Sequence, residues 1–474
     1  MDNREQRYGI AAAGWAEVEP NERRKGGFLC RCGRHGVACE LMNAIVEDLN
    51  GKIRRGNPYV YELLSGLGRE LYFPRGILTQ SAEAKEQAYR FDATIGIATE
   101  NGQPLYLPLI QETLSDYEPK ELYPYAPAAG KPELRQAWRE KMLRENPSLR
   151  DKSFSQPVVT SALTHGLSIV ADMFAEAGDA VILPDKLWGN YNLIFSVRRG
   201  AGMKTFPFFS SEGLFNVRGL RETLLKQRTR KKAILLLNFP NNPTGYTPGE
   251  REAAGIVEAV REAAEAGINL VVVTDDAYFG LFYEDTLKES LFGRIAQIHP
   301  RVLAVKVDGA TKEEYVWGFR VGFLTFSAGH PEVHRALENK AMGCIRGTVS
   351  SVTHPSQSFV LHALKSPAFR QEKEEKYLLL KERALEVKKI LAADKFAEVW
   401  EPYPFNSGYF MCLRLKSVKA ETLRRHLLQH YGVGVISLGD SDLRIAFSSV
   451  AKEDLAQLFE LVYQGVKDLK QLRD

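Results

Sequence analysis

Six short runs rich in β-branched and other apolar residues recur through the middle of the chain. They lie at Pro157 to Thr160, Ala180 to Leu183, Ala233 to Asn238, Ile268 to Thr274, Val302 to Val307 and Phe319 to Thr325. Each is too short for a buried helix and reads as a strand covered on both faces. Between them, His165 to Glu176 and Glu250 to Ala266 place apolar or alanine residues three and four apart, the spacing of a helix with one buried side. This alternation predicts an α/β fold: a three-layer large domain whose mostly parallel sheet is covered by helices. Ligands in such sheets sit beyond the carboxyl ends of the strands.

The pattern changes after Pro367. A long charged helix is expected over Ala368 to Leu391, with short strands around Tyr409 to Leu415 and Leu443 to Phe447 and helices over Lys419 to His430 and Lys452 to Lys467. These make a smaller α+β domain. Residues 1–41 alternate charged and Gly-rich pieces without periodicity and read as a poorly ordered N-terminal extension. Residues 42–100 are expected to join the small domain and cover the active site, 101–350 to form the large domain and 351–474 the C-terminal small domain.

Composition narrows the function classes. The 474 residues carry a net charge of only +4, with Lys and Arg scattered among nearly equal Asp and Glu, so no nucleic-acid footprint is present. The apolar stretch Ile268 to Val273 is too short for a membrane span, and Asp2, Glu5, Glu17 and Glu19 do not suit a leader peptide. A cytoplasmic protein without membrane or nucleic-acid partners is expected. Cys30, Cys32, His35 and Cys39 gather four soft ligands within ten residues, but no second spaced pair follows, and no metal site is expected.

The chemistry gathers at strand ends. Lys312, in Asp308-Gly309-Ala310-Thr311-Lys312, joins one apolar run to the next, where burial or a cationic neighbour such as Arg320 would make it a reactive amine. The run Leu235 to Leu237 leaves its strand through Asn238-Phe239-Pro240-Asn241-Asn242-Pro243-Thr244-Gly245, a stiff turn that aims Asn242. Asp275 and Asp276 stand at the tip of a buried strand, where a carboxylate needs a partner or caps a helix. An aldehyde-bearing pyridine phosphate suits these positions: Lys312 for the aldehyde carbon, Asp275 for the ring nitrogen, Asn242 and Tyr278 for the phenolic oxygen. The strand-to-helix segment Val159 to Leu167, with Leu163 and Thr164, offers amides to a phosphate. Trp188 or Tyr191 would stack on the ring.

The ordered set Asn-Asn-Pro-Thr-Gly (241–245), Asp-x-Ala-Tyr (275–278), Thr-Lys (311–312) and Gly-Phe-Arg-Val-Gly (318–322) resembles the class I/II aminotransferases of fold type I, over roughly residues 90 to 450. The resemblance implies a seven-stranded sheet, pyridoxal 5′-phosphate as cofactor, Lys312 as the Schiff-base lysine, Asp275 as ring-nitrogen partner and Arg320 as a phosphate ligand. It further implies that Arg444 clamps the substrate α-carboxylate, a task suited to a planar fork. Tyr125, with Tyr123 as rival, resembles a tyrosine lent to the partner's phosphate in a homodimer with shared sites. Ile97 and Ala98 lie in a substrate-covering stretch, and Arg346 stands where related enzymes carry an arginine for a side-chain carboxylate, or else is an interface or helix-end cation. Ala162 replaces a common glycine, and Gly309 a serine that donates to phosphate.

The implied activity is ping-pong transfer of an amino group from an L-amino acid, dicarboxylic or aromatic, to a 2-oxo acid. A carbon–sulfur β-lyase or decarboxylase uses the same apparatus. A non-catalytic regulator would need a DNA-binding module, and the first 90 residues carry no helix-turn-helix signal.

Overall fold

The computed structural model describes residues 36–72 and 76–471. Seven strands form the main sheet: β1 (Val158–Ser161), β2 (Ala180–Pro184), β3 (Gly202–Phe206), β4 (Lys232–Asn238), β5 (Asn269–Asp275), β6 (Val302–Gly309) and β7 (Val321–Ser327). Their order is β1-β7-β6-β5-β4-β2-β3, with β7 antiparallel to both neighbours and every other pair parallel. All of β2, and β5 from Leu270 onward, is buried. Successive side chains of a strand point to opposite faces, so both faces of the sheet are covered, as the continuous apolar runs predict.

β3 was not expected. It lies at the edge of the sheet opposite β1, and its Met203, Lys204 and Thr205 are at least part-exposed, so it carries no continuous apolar run. The run starting at Phe319 becomes strand only from Val321, because Trp317–Phe319 is a 3-10 turn and Arg320 is left-handed (φ 56°, ψ 48°).

The helices include α1 (Gly36–Gly56), α2 (Pro132–Glu145), α3 (Ala162–Phe174), α4 (Glu250–Glu265), α5 (Pro331–Thr348), α6 (His354–Lys365) and α7 (Phe369–Leu391). α1 runs across the expected boundary between residues 41 and 42. α4 begins where the Glu252 carboxylate accepts from the Gly249 amide at 2.8 Å and is followed by left-handed Gly267 (φ 93°). α6 packs on α2 and β7, with the large sheet. α7 then runs to the C-terminal helix α8 (Leu455–Gln471).

A second, antiparallel sheet holds β8 (Trp400–Pro402), β9 (Met411–Leu415), β10 (Ile436–Leu438) and β11 (Asp442–Ile445) in the order β8-β9-β11-β10. Phe91–Asp92 pairs with Val433–Gly434, and the Ala446 amide bonds the Ala93 carbonyl at 2.9 Å, so the segment near residue 93 rides on this half of the molecule. Among the described residues no helix is long and apolar enough to cross a membrane.

Candidate active site

β4 and β5 end side by side, with Asn238 in register with Asp275. Asn238 donates from Nδ2 to the Asp275 carbonyl and accepts the Asn242 amide on Oδ1, both at 2.8 Å. The turn beyond β4 is braced by Asn241, whose Oδ1 accepts from the amide and hydroxyl of Thr244. Gly245 (φ 73°) is obligatory there, since a Cβ would lie 2.0 Å from the Phe410 carbonyl oxygen. So held, Asn242 accepts on Oδ1 from Arg444 Nη1 at 3.0 Å, leaving Nδ2 as its donor end.

Arg444 comes from β11, opposite Cys412 and Ile436. Its Nη2 donates to the Thr94 carbonyl at 2.7 Å, and its guanidinium lies 4.2 Å over the Phe410 ring. The side chain is 2 % exposed and Nε has no partner. A buried guanidinium with an unused N–H calls for an anion.

Lys312 sits in the helical turn Ala310–Glu313 that ends β6. Its Nζ is 4.8 Å from the centre of the Tyr278 ring, and its carbonyl accepts from the Tyr409 hydroxyl at 3.0 Å. Burial, aided by the Arg320 cation, lowers the Lys312 amine to about 8 against the pull of the Asp275 carboxylate. Burial likewise raises Asp275 to about 6, with the Asp276 charge adding to the rise. The Tyr191 hydroxyl, the Lys312 ammonium and the Ala277 amide oppose it. Burial pushes the Tyr278 phenol up, which keeps it a hydrogen-bond donor.

Tyr191 does more than offer a face for stacking. It is 1 % exposed, and its hydroxyl donates to Asp275 Oδ2 at 2.6 Å. Trp188 is part-buried and meets Tyr191 edge-on with ring centres 5.4 Å apart.

The start of α3 faces the loop before β7. The Ala162 amide bonds the Arg320 carbonyl at 3.0 Å, both residues are left-handed, and a Cβ on Gly322 would lie 2.6 Å from the Ala162 carbonyl carbon. No side chain caps α3, which leaves the first-turn amides, including those of Leu163 and Thr164, for an anion. Ala162 (φ 59°) thus holds a conformation that favours glycine. At Gly309 a Cβ would stand 2.6 Å from the Val321 carbonyl oxygen, so a serine has no room. The neighbouring Thr311 Oγ1, which no sequence motif singles out, is buried without a partner.

Other residues stay apart from this cluster in the single chain. Tyr125 and Tyr123 are 92 % and 83 % exposed. Arg346, on exposed surface near the end of α5, donates to Ser350 Oγ at 2.7 Å. Ala98 is buried and Ile97 half-buried, in a segment lying on the cluster: a Cβ on Gly96 would be 3.1 Å from the Phe410 ring and 3.5 Å from the Tyr278 hydroxyl. Cys30, Cys32, His35 and the Cys39 side chain lie outside the described residues.

The family model for aminotransferase class I and II matches residues 98–462. The chain belongs to this family. Among curated relatives, a probable aspartate/prephenate aminotransferase of Aquifex aeolicus is 29 % identical over 298 residues, 62 % of this chain and 70 % of that protein. An aspartate aminotransferase of Bacillus sp. (strain YM-2) is 27 % identical over the same shares. The fold matches an aminotransferase of Anaerococcus prevotii with a TM-score of 0.75 at 20 % identity, covering 83 % of this chain and 96 % of that one. A kynurenine aminotransferase of Pyrococcus horikoshii matches at 0.72 and 16 % identity, covering 86 % and 98 %. This class I and II aminotransferase is accordingly a transaminase, in a family that uses pyridoxal 5′-phosphate.

Proposed function

We propose that Lys312 carries pyridoxal 5′-phosphate covalently through Nζ, and that the site around it moves an amino group from an L-amino acid to a 2-oxo acid. The observation that carries this reading is one buried site holding an amine lowered to about 8, a carboxylate raised to about 6 and the unpartnered Arg444 Nε. A protonated ring nitrogen supplies the cation that buried Asp275 lacks, and a substrate carboxylate the anion that Arg444 lacks. When bound, the cofactor supplies an electron sink for the pair left at the substrate α-carbon.

The chain's own residues do the rest. Asp275 keeps the ring nitrogen protonated, while Asn242 Nδ2 and the Tyr278 hydroxyl donate to the phenolic oxygen. The α3 amides of Leu163 and Thr164, the Thr311 hydroxyl and Arg320 hold the phosphate, and Trp188 covers the ring, because the Tyr191 hydroxyl is committed to Asp275. Arg444 fixes the α-carboxylate. Lys312, neutral when it takes the α-proton and charged when it returns it, serves as base and then acid. The 92–98 segment, with Ile97 and Ala98, excludes water.

The names of the Aquifex and Bacillus relatives support a dicarboxylic donor. Exposed Tyr125 and Arg346 fit a homodimer in which each subunit completes the other's site, Tyr125 at the phosphate and Arg346 at a side-chain carboxylate. Purified protein is offered Asp, Glu, Phe, Tyr, Ala and a cysteine conjugate, with and without 2-oxoglutarate. Transamination requires the oxo acid. Pyruvate and ammonia formed without it identify a lyase and overturn the proposal.

A further inference from the structure

The Lys312 turn and the Arg444 strand belong to different sheets, and one helix reaches both. Near the start of α7, Lys373 bonds Glu313 Oε1 at 2.9 Å and Glu314 Oε1 at 3.2 Å, the two residues that follow Lys312. Those carboxylates are 3 % and 2 % exposed, and Lys141 of α2 reaches the same Glu313 oxygen. Ten residues along α7 (383 minus 373), Arg383 is 5 % exposed and donates from Nη1 to the Ser448 carbonyl at 2.5 Å. Ser448 lies four residues past Arg444 (448 minus 444). Its neighbour Ser449 donates from Oγ to the Asp92 carbonyl and accepts on its backbone carbonyl from the Thr99 hydroxyl, so the same point carries the covering segment.

We propose that α7 is a strut setting the spacing between Lys312 and Arg444, with Lys373 and Arg383 as its positioning residues. The inference rests on the roles proposed above for Lys312 and Arg444. A helix rises about 1.5 Å per residue, so the two anchors stand about 15 Å apart along its axis. Apolar contacts alone let a helix slide by a fraction of a turn. A part-buried ammonium bonded to two buried carboxylates does not, because sliding would leave those carboxylates short of a cationic partner. Lys373 fixes the helix against the Lys312 turn, and Arg383 transmits that position to the end of β11. Lys141 holds the same Glu313 from the large-sheet side, so the Lys312 turn is gripped between α2 and α7.

The test compares the holoenzyme with Lys373→Met, Arg383→Met, the double variant and Lys373→Arg. Amide hydrogen exchange is followed in residues 309–315 and 442–449, with kcat and KM measured alongside. In Lys373→Met, exchange is expected to speed up about tenfold or more in both segments, although only the first touches Lys373. Lys373→Arg restores both. Each single Met variant lowers kcat/KM about tenfold, and the double variant is little worse than either, since both cut one strut. Faster exchange confined to 309–315, or multiplicative losses in the double variant, overturns the strut. If Lys373→Met fails to fold, Glu314→Gln removes one charge of the cluster and is read the same way. Full activity in Lys312→Ala would instead sink the proposed function, which the exchange readout does not depend on.

Discussion

The Tyr191 hydroxyl donates to the Asp275 carboxylate at 2.6 Å, both groups fully buried at the carboxyl end of the sheet. A hydrogen bond to a carboxylate stabilises its charged form, which is the form that would hold a ring nitrogen protonated. In Tyr191→Phe that bond is gone while burial and the Asp276 charge remain. The Asp275 pKa therefore climbs from about 6. Losing a hydrogen bond to a charged group costs about 1.5–3 kcal/mol, or about one to two pH units. In the apoenzyme the Asp275 titration, followed by NMR, is expected to move to higher pH by that amount. An unmoved midpoint would rule out a role for Tyr191 in holding Asp275 ionised.

The free amine at Lys312 is lowered to about 8, chiefly by burial and then by the Arg320 cation. Only the neutral amine attacks an aldehyde, so addition of pyridoxal to the apoenzyme should accelerate as pH rises and level off above about 8. Removing the cation raises the amine's pKa, so Arg320→Met shifts that midpoint upward. Pyridoxal without its phosphate is the right reagent, because it separates this effect from loss of a phosphate ligand. Lys312→Ala should abolish the visible absorbance of the linked cofactor and turnover while keeping the fold.

Arg444 divides its donors between Asn242 and the Thr94 carbonyl and leaves Nε unused. A lysine retains the charge but not the planar fork, so it meets a carboxylate as a point charge rather than bidentately. Arg444→Lys is expected to raise KM for the amino acid about 10- to 100-fold, with a smaller fall in kcat. Steady-state kinetics with both amino acid and oxo acid checks this, since both carry the carboxylate.

Gly309 leaves no space for a side chain against the Val321 carbonyl. Gly309→Ser is expected to lower stability by about 1–3 kcal/mol through the forced shift of β7, without improving cofactor affinity. Thermal melts and cofactor titration of the apoenzyme decide it. Thr311→Val should weaken cofactor binding if the Thr311 hydroxyl has taken over as phosphate donor, as its lack of a protein partner suggests.

The sheet was legible because its central strands are buried on both faces and so appear as unbroken apolar runs. Edge strand β3, with Lys204 exposed, carries no such signature. Lys312, Asp275, Asn242 and Tyr278 could be picked out because each sits in a recognisable strand-end or turn context, Arg444 only through the resemblance, since it lies within β11; the structure brings all five together. The Tyr191 bond to Asp275 could not be read, since it joins residues 84 apart through the order of β2, β4 and β5, which no local pattern encodes. The same holds for Lys373 and Arg383, which look like ordinary charges on a long polar helix. Tyr125 and Arg346 are exposed in the single chain, which offers no buried contact against which the roles read for them can be judged.

Arg444 bonds the carbonyl of Thr94 across 350 positions of sequence. A contact of that separation is costly to close early, because the intervening loop entropy must be overcome first. During refolding, the pocket should therefore be among the last features to mature. Helical circular dichroism would return first, and turnover would lag behind it, so recovered catalysis measures completed folding in a way that secondary structure cannot.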